Sequence, residues 1–188
     1  LLLFTFTCTV SEQIMIKKII SKLGISRLRW HDLRNVHPVS REFGFDRGNP
    51  VDRYYIEKFL ASNRSFITGK VLEVAESHYS KKFGTNVASF EVLHIENTSN
   101  TTIVGDLTKP ETLPTNAVDC FVCTQVFNFI FDFQRAIEGS HQLLKPGGTL
   151  LATVSGISQI SRFDADRWGH YWSFYPQGIG MSVKKVFG

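Results

Sequence analysis

A chain of 188 residues with 43% hydrophobic and 20% charged residues has the length and balance of one globular domain, and too few residues for two well-filled cores. The net charge of +4, from 21 basic and 17 acidic residues, is mild and dispersed; it gives no ground for a nucleic-acid partner, and none is expected. Three cysteines, an odd number, do not make a disulfide framework and suit a reducing cytoplasm, the expected location.

The chain opens on Leu1–Val10, an apolar run too short to span a bilayer. It has no initiator Met, no basic flank and no small-residue cleavage site, so it reads as a fragment boundary or upstream translation before a signal peptide. Ile14, Ile16, Ile19, Ile20 and Leu23, with Lys17, Lys18 and Lys22 between them, predict a basic amphipathic helix stopped by Gly24. Packing on its own domain is the first expectation for it and a seat on an anionic membrane the alternative; stable insertion is not expected. Residues 25 to 50 read as loop. The division is therefore a lead-in over 1–49 and a main domain over 50–188.

From there strand and helix signals alternate. A helix is expected from Asp52 to Ala61, with Tyr55, Ile56, Phe59 and Leu60 on one face. Lys70–Ala75 reads as a first strand, followed by a helix through Lys82 that stops at Gly84. Phe90–Glu96 reads as a second strand and Thr101–Val104 as a short third. Val118–Thr124, apolar nearly throughout, reads as a strand covered on both faces. Its Cys120 and Cys123 stand three apart and so point to opposite faces, which makes them buried hydrophobes and not a metal or redox pair. A helix over Phe131–Leu144 and a turn at Lys145–Gly148 lead to a fifth strand, Thr149–Val154. Residues 176 to 187 read as a short helix. Alternation of this kind means right-handed crossovers and a parallel sheet: an α/β domain with helices on both faces.

Ligands of such sheets bind at the carboxyl ends of the strands. Those ends carry Glu73 with the turn Ala75, Glu76 and Ser77, then Glu96, then Gly105, Asp106 and Leu107, then Thr124 and Gln125. Glu96 lies 23 positions after Glu73, the offset at which an acid beyond a first βα turn accepts from a ribose. Asp106 is a candidate for a base's exocyclic amine. For each acid alone, a helix cap or solvated loop end is the competing reading. Asp119 opens the fourth strand, remote from those ends, and reads as structural. The aromatic and charged stretch from Ser161 to Pro176 is the candidate acceptor lip, with Arg162, Trp168, Tyr171 and Trp172 as its contacts. His170 within it is a weak candidate for a general base, against a packing role.

Val71-Leu72-Glu73-Val74-Ala75 resembles the first motif of class I S-adenosylmethionine-dependent methyltransferases. Glu96 is similar to that family's ribose-binding acid, Gly105-Asp106-Leu107 to its adenine segment, and Val118–Cys120 with Thr124-Gln125-Val126 to its fourth-strand motif. Leu144–Leu150 looks like its turn into strand five. Within the family, the Pro50–Tyr55 and Asp166–Trp172 segments resemble those of small bacterial methyltransferases found in glycan and secondary-metabolite contexts. The resemblance implies a Rossmann-like sheet in the order 3-2-1-4-5 and S-adenosyl-L-methionine as cofactor. It also implies O- or N-methylation of a small-molecule or glycan acceptor, with Arg53 and Tyr54 over the cofactor's amino-acid end. The family's sheet has two further strands as an antiparallel edge pair; residues 155–188 hold no such pair, so a C-terminally incomplete domain is expected. Ala75, Ser77 and Tyr79 stand where the family carries glycines, and Tyr79 must turn its ring away from the ligand. The alternative is a non-catalytic binding or scaffolding relative; a nicotinamide oxidoreductase is disfavoured because no G-x-G-x-x-G follows strand one.

Overall fold

The computed structural model describes residues 36, 37, 40, 43 and 45–188. The expected apolar start and basic amphipathic helix lie outside the described residues. By its packing the chain divides between Gly48 and Asn49. The first unit contributes a short 3-10 turn at Phe45–Arg47, and Asn49–Gly188 carries the sheet.

Five strands form one parallel sheet in the order β3-β2-β1-β4-β5: β1 (Gly69–Val74), β2 (Val87–His94), β3 (Ile103–Val104), β4 (Val118–Thr124) and β5 (Leu144–Thr153). β4 runs between β1 and β5, and its Cys120, Phe121, Val122 and Cys123 are all fully buried. The side-chain period of two sorts them onto opposite faces. Val71, Cys120, Val122 and Leu151 lie in one apolar cluster; Leu72, Leu93, Phe121 and Cys123 lie in the other. Helix α1 (Val51–Ser62) brings Ile56 and Leu60 to the first cluster, and α2 (His78–Phe83) brings Tyr79. Helix α3 (Phe133–Leu143) brings Ala136, Ile137 and Leu143 to the second. A short helix α4 (Arg162–Ala165) precedes α5 (Pro176–Phe187), which packs along α3 and adds Ile179, Val183 and Phe187 to that cluster. Gly139 permits the close seat of α3: a Cβ there would stand 2.2 Å from the Leu107 carbonyl oxygen.

Several boundaries differ from expectation, among them the following. β2 ends at His94, so Glu96 lies beyond the strand. β3 keeps only Ile103 and Val104. β5 begins already at Leu144, paired with Val118; the next pair is Cys120 with Thr149, so Lys145–Gly148 bulges out within the strand, with Gly147 at φ +80°. Asp119, at the amino end of β4, fastens that bulge. Its carboxylate accepts from Lys145 Nζ at 2.8 and 2.9 Å and from the Lys70 amide at 2.7 Å. Among the described residues no helix is long and apolar enough to cross a membrane.

Candidate functional site

The strand order reverses between β1 and β4, so the crevice outside their carboxyl ends is where such a sheet holds a ligand. At the end of β1, Glu73 is buried, and its carboxylate accepts from Tyr79 N at 3.1 Å, Ser80 N at 2.9 Å and the Ser80 hydroxyl at 2.8 Å. Burial pushes its carboxyl above the usual carboxylate range, against the opposing pull of those hydrogen bonds. Both oxygens are engaged within the chain. These bonds tie the start of α2 to β1.

Between them the backbone turns sharply. Ala75 has φ +65°, and the Glu76 amide donates to the Val74 carbonyl at 2.8 Å. That bond, with a positive φ at the middle residue, is the strained hand of the γ-turn. Glycine would adopt it freely; this chain adopts it with alanine, whose side chain is exposed. Glu76 is exposed and Ser77 half-buried, and neither the Glu76 carboxylate nor the Ser77 hydroxyl has a hydrogen-bond partner among the described residues. Tyr79 does turn its ring away: it is buried against Phe83, and Arg53 donates to its hydroxyl while standing 5.7 Å over the ring. Arg53 is thereby committed to Tyr79. Tyr54 is exposed and packs edge-on against Tyr55.

The Ala75 amide donates to Leu93 O at 3.0 Å, which sets the levels of the two strand ends. Glu96 follows, exposed, its backbone pinned by the His94 ring, whose Nδ1 stands 3.0 Å from Glu96 N and 3.1 Å from Glu96 O. Its carboxylate has no hydrogen-bond partner among the described residues. Asp106 differs: its Oδ1 accepts from Thr108 N at 2.9 Å and the Thr108 hydroxyl at 2.8 Å, and Lys109 stands 3.5 Å from Oδ2. Burial raises its carboxyl, but the Thr108 hydrogen bonds and Lys109 outweigh it and hold the group below the usual range. Gly105 is buried, its amide donating to His94 O at 3.0 Å. The Leu107 side chain is 5% exposed and belongs to the core. At the end of β4, Thr124 pairs with Thr153, and Gln125 takes φ +57° while its amide donates to Thr153 O at 2.8 Å.

The candidate lip packs onto the connection after β4. The Tyr171 and Trp172 amides donate to Asn128 O at 2.9 and 3.3 Å, and the Phe174 amide to Ser155 O at 2.8 Å. Trp172 is an anchor, its indole N–H shared between Ile130 O at 3.1 Å and Phe131 O at 3.0 Å. Tyr171 and Trp168 are half-exposed, and Arg162 is exposed on α4. His170 Nδ1 accepts from the Ser161 amide at 3.3 Å, so the neutral ring carries its proton on Nε2. Sequence reading passed over Asn128 and Ser155; the only signal was one polar residue set among Phe127, Phe129 and Phe131.

Known proteins agree with this arrangement. Residues 67–152 match the family model described as a methyltransferase domain. No curated protein sequence matches the chain significantly. Among solved structures, an S-adenosylmethionine-dependent methyltransferase from Archaeoglobus fulgidus superposes with a TM-score of 0.53 at 10% identity, over 77% of this chain and 72% of that one. A putative methyltransferase from Bacillus halodurans gives 0.54 at 13% identity, over 69% and 67%. A putative sarcosine dimethylglycine methyltransferase from Galdieria sulphuraria gives 0.52 at 16%, over 71% and 61%. The fold is that of Rossmann-like methyltransferases, and residues 67–152 carry the methyltransferase-domain match.

Proposed function

We propose that the domain transfers the methyl group of S-adenosyl-L-methionine to an oxygen or nitrogen of a small-molecule or glycan acceptor, in a reducing cytoplasm. The observation that carries this reading is Glu96: of the three acids expected at the nucleoside, it alone is exposed, unpartnered and pinned by its backbone. A carboxylate so held accepts two hydrogen bonds from a ribose diol without first giving up a partner. The left-handed turn at Ala75 supports the fit, since it keeps the backbone path that glycine gives the family.

S-adenosylmethionine, when bound, would supply an electrophilic methyl group. The chain's part is to position and enclose. Glu96 would hold the ribose end, the Ala75–Ser77 turn would lie along the cofactor, and Thr124 and Gln125 would face its methionine end. The lip after β5 bounds the acceptor and keeps water out.

The test is calorimetric titration of S-adenosylhomocysteine into the chain and into Glu96→Ala. Micromolar binding that falls at least about tenfold in the variant is expected, as for loss of a charged hydrogen-bond acceptor. Absence of binding by the folded chain favours the non-catalytic relative, for which Ala75 and Tyr79 in the family's glycine positions speak.

A further inference from the structure

Glu96 stands in a stretch with little packing to hold it. Residues 95–100, between β2 and β3, are all exposed, so no buried side chain fixes their course. Two side chains, one at each end of that stretch, take up the Glu96 backbone. From the last residue of β2, His94 Nδ1 accepts from Glu96 N at 3.0 Å. From the far end of the loop, the Thr101 hydroxyl donates to Glu96 O at 3.2 Å. Each holder is itself fixed. The Thr101 oxygen accepts from Thr98 N at 3.1 Å, and the Thr98 hydroxyl donates to it at 2.6 Å, the Thr101 proton being already given to Glu96. His94 pairs with Val104 across the sheet, and its carbonyl accepts from Gly105 N at 3.0 Å.

We propose that His94 and Thr101 are positioning residues for the cofactor: they hold the Glu96 backbone and so present its carboxylate, already aimed, to the ribose hydroxyls. The inference rests on the reading of Glu96 as the ribose-binding acid given above.

A loop ordered before its ligand arrives spares binding the entropy of ordering it. With its N–H and its C=O both held, Glu96 keeps only side-chain freedom, and the carboxylate stays near one place. The Glu96 amide can only donate, so Nδ1 of the neutral His94 ring is bare and the proton sits on Nε2. His94 thereby acts as an asparagine does in a turn where the side chain bonds the amide two residues on. His94 Nδ1 and Thr101 Oγ1 are both committed to Glu96, so each acts on the ligand through it. Alanine at 94 or valine at 101 keeps the Glu96 carboxylate but releases one side of its backbone. The loss then falls on the hydroxyls that Glu96 would hold, and the rest of the cofactor is bound as before.

The experiment titrates S-adenosylhomocysteine and its 2′,3′-dideoxy counterpart, which offers Glu96 no hydroxyl, into the full chain and into His94→Ala, His94→Asn and Thr101→Val. His94→Ala and Thr101→Val should each weaken S-adenosylhomocysteine about three- to tenfold and leave the dideoxy ligand within about twofold. His94→Asn restores an acceptor for the Glu96 amide, so its S-adenosylhomocysteine affinity should return to within about twofold of wild type. The two positions lie on different segments, so Thr101→Val carries the test should the His94 variants fail to fold. Unchanged S-adenosylhomocysteine binding in the variants that fold, or equal weakening of both ligands, overturns the proposal. So does a folded His94→Asn that binds no better than His94→Ala. In each of these cases an affinity still lost in Glu96→Ala keeps the cofactor reading. Failure of the folded wild-type chain to bind S-adenosylhomocysteine, or binding untouched by Glu96→Ala, overturns that reading and the positioning role with it.

Discussion

Ala75→Gly is the substitution whose sign tests the site's backbone most directly. Ala75 holds φ +65° at the mouth of the cofactor crevice, in a turn closed by the 2.8 Å bond from Glu76 N to Val74 O. A left-handed φ costs an L-residue about 1–2 kcal/mol, and glycine escapes that cost. The freer unfolded chain of a glycine variant takes back about 0.4–1 kcal/mol. No burial is lost, because the Ala75 side chain is exposed. The variant should therefore be more stable by about 0.5–1 kcal/mol, which for a domain of this size raises Tm by about 1–4 °C. Ala75→Val must move the other way, by about 1 kcal/mol or more, since a β-branched side chain fits a left-handed φ worse than alanine. Urea unfolding followed by circular dichroism, at unchanged m-value, measures both. A destabilised Ala75→Gly, or a neutral Ala75→Val, would refute the left-handed turn and with it the argument that the glycine path survives here.

Other consequences are simpler to read. Lys145, first by hydrogen bonding, and the Lys70 amide hold the Asp119 carboxyl below the usual range; the stability this supplies is present above a pH of about 4 and is lost as pH falls through the lowered value. Asp119→Asn should thus cost about 1 kcal/mol at neutral pH after solvent screening, and wild type and variant should converge toward pH 3. A gap that stays constant over that range contradicts a charge-driven contact. Burial, aided by the Asp119 charge, pushes the Cys120 thiol up to about 12, and burial raises Cys123 as well. In a Cys8→Ser background neither thiol should react with Ellman's reagent at pH 8 until the chain unfolds; rapid native labelling would mean β4 is not covered on both faces. Trp172→Phe keeps the ring beside Phe133 but removes the N–H shared by Ile130 O and Phe131 O. It should cost about 1 kcal/mol and speed amide exchange over residues 166–175, with S-adenosylhomocysteine binding unchanged; unaltered exchange there argues against the anchor.

Much of the fold was legible because its signals are local. The run Val118–Thr124 could only be a strand buried on both faces, and its limits in the structure are the same. Gly84 marks the end of α2, and Pro176 the start of α5, as expected. What sequence could not show is which partner each site residue chooses. Glu73, Glu96 and Asp106 look equivalent as acids at strand ends. The fold spends Glu73 on two amides and a hydroxyl, spends Asp106 on Thr108, and leaves Glu96 free. Leu107 lies within a motif but points into the core, and the His170 tautomer depends on an amide nine residues away. These are tertiary choices, and residue type alone does not make them.

Backbone strain gathers at the strand ends where the proposed site lies. Four non-glycine residues of the Asn49–Gly188 unit take a positive φ: Asn86, Asn116, Ala75 and Gln125. Asparagine tolerates that region through local hydrogen bonding, so the first two are ordinary turn positions. Ala75 and Gln125 have no such excuse, and they sit at the carboxyl ends of β1 and β4, the two strands between which the sheet reverses its order. A fold keeps strain of this kind only where the surrounding bonds over-determine it. Here the Leu93, Val74 and Thr153 carbonyls do so, each accepting an amide from the strained residue or its neighbour. The strain falls at the two strand ends that flank the proposed cofactor site.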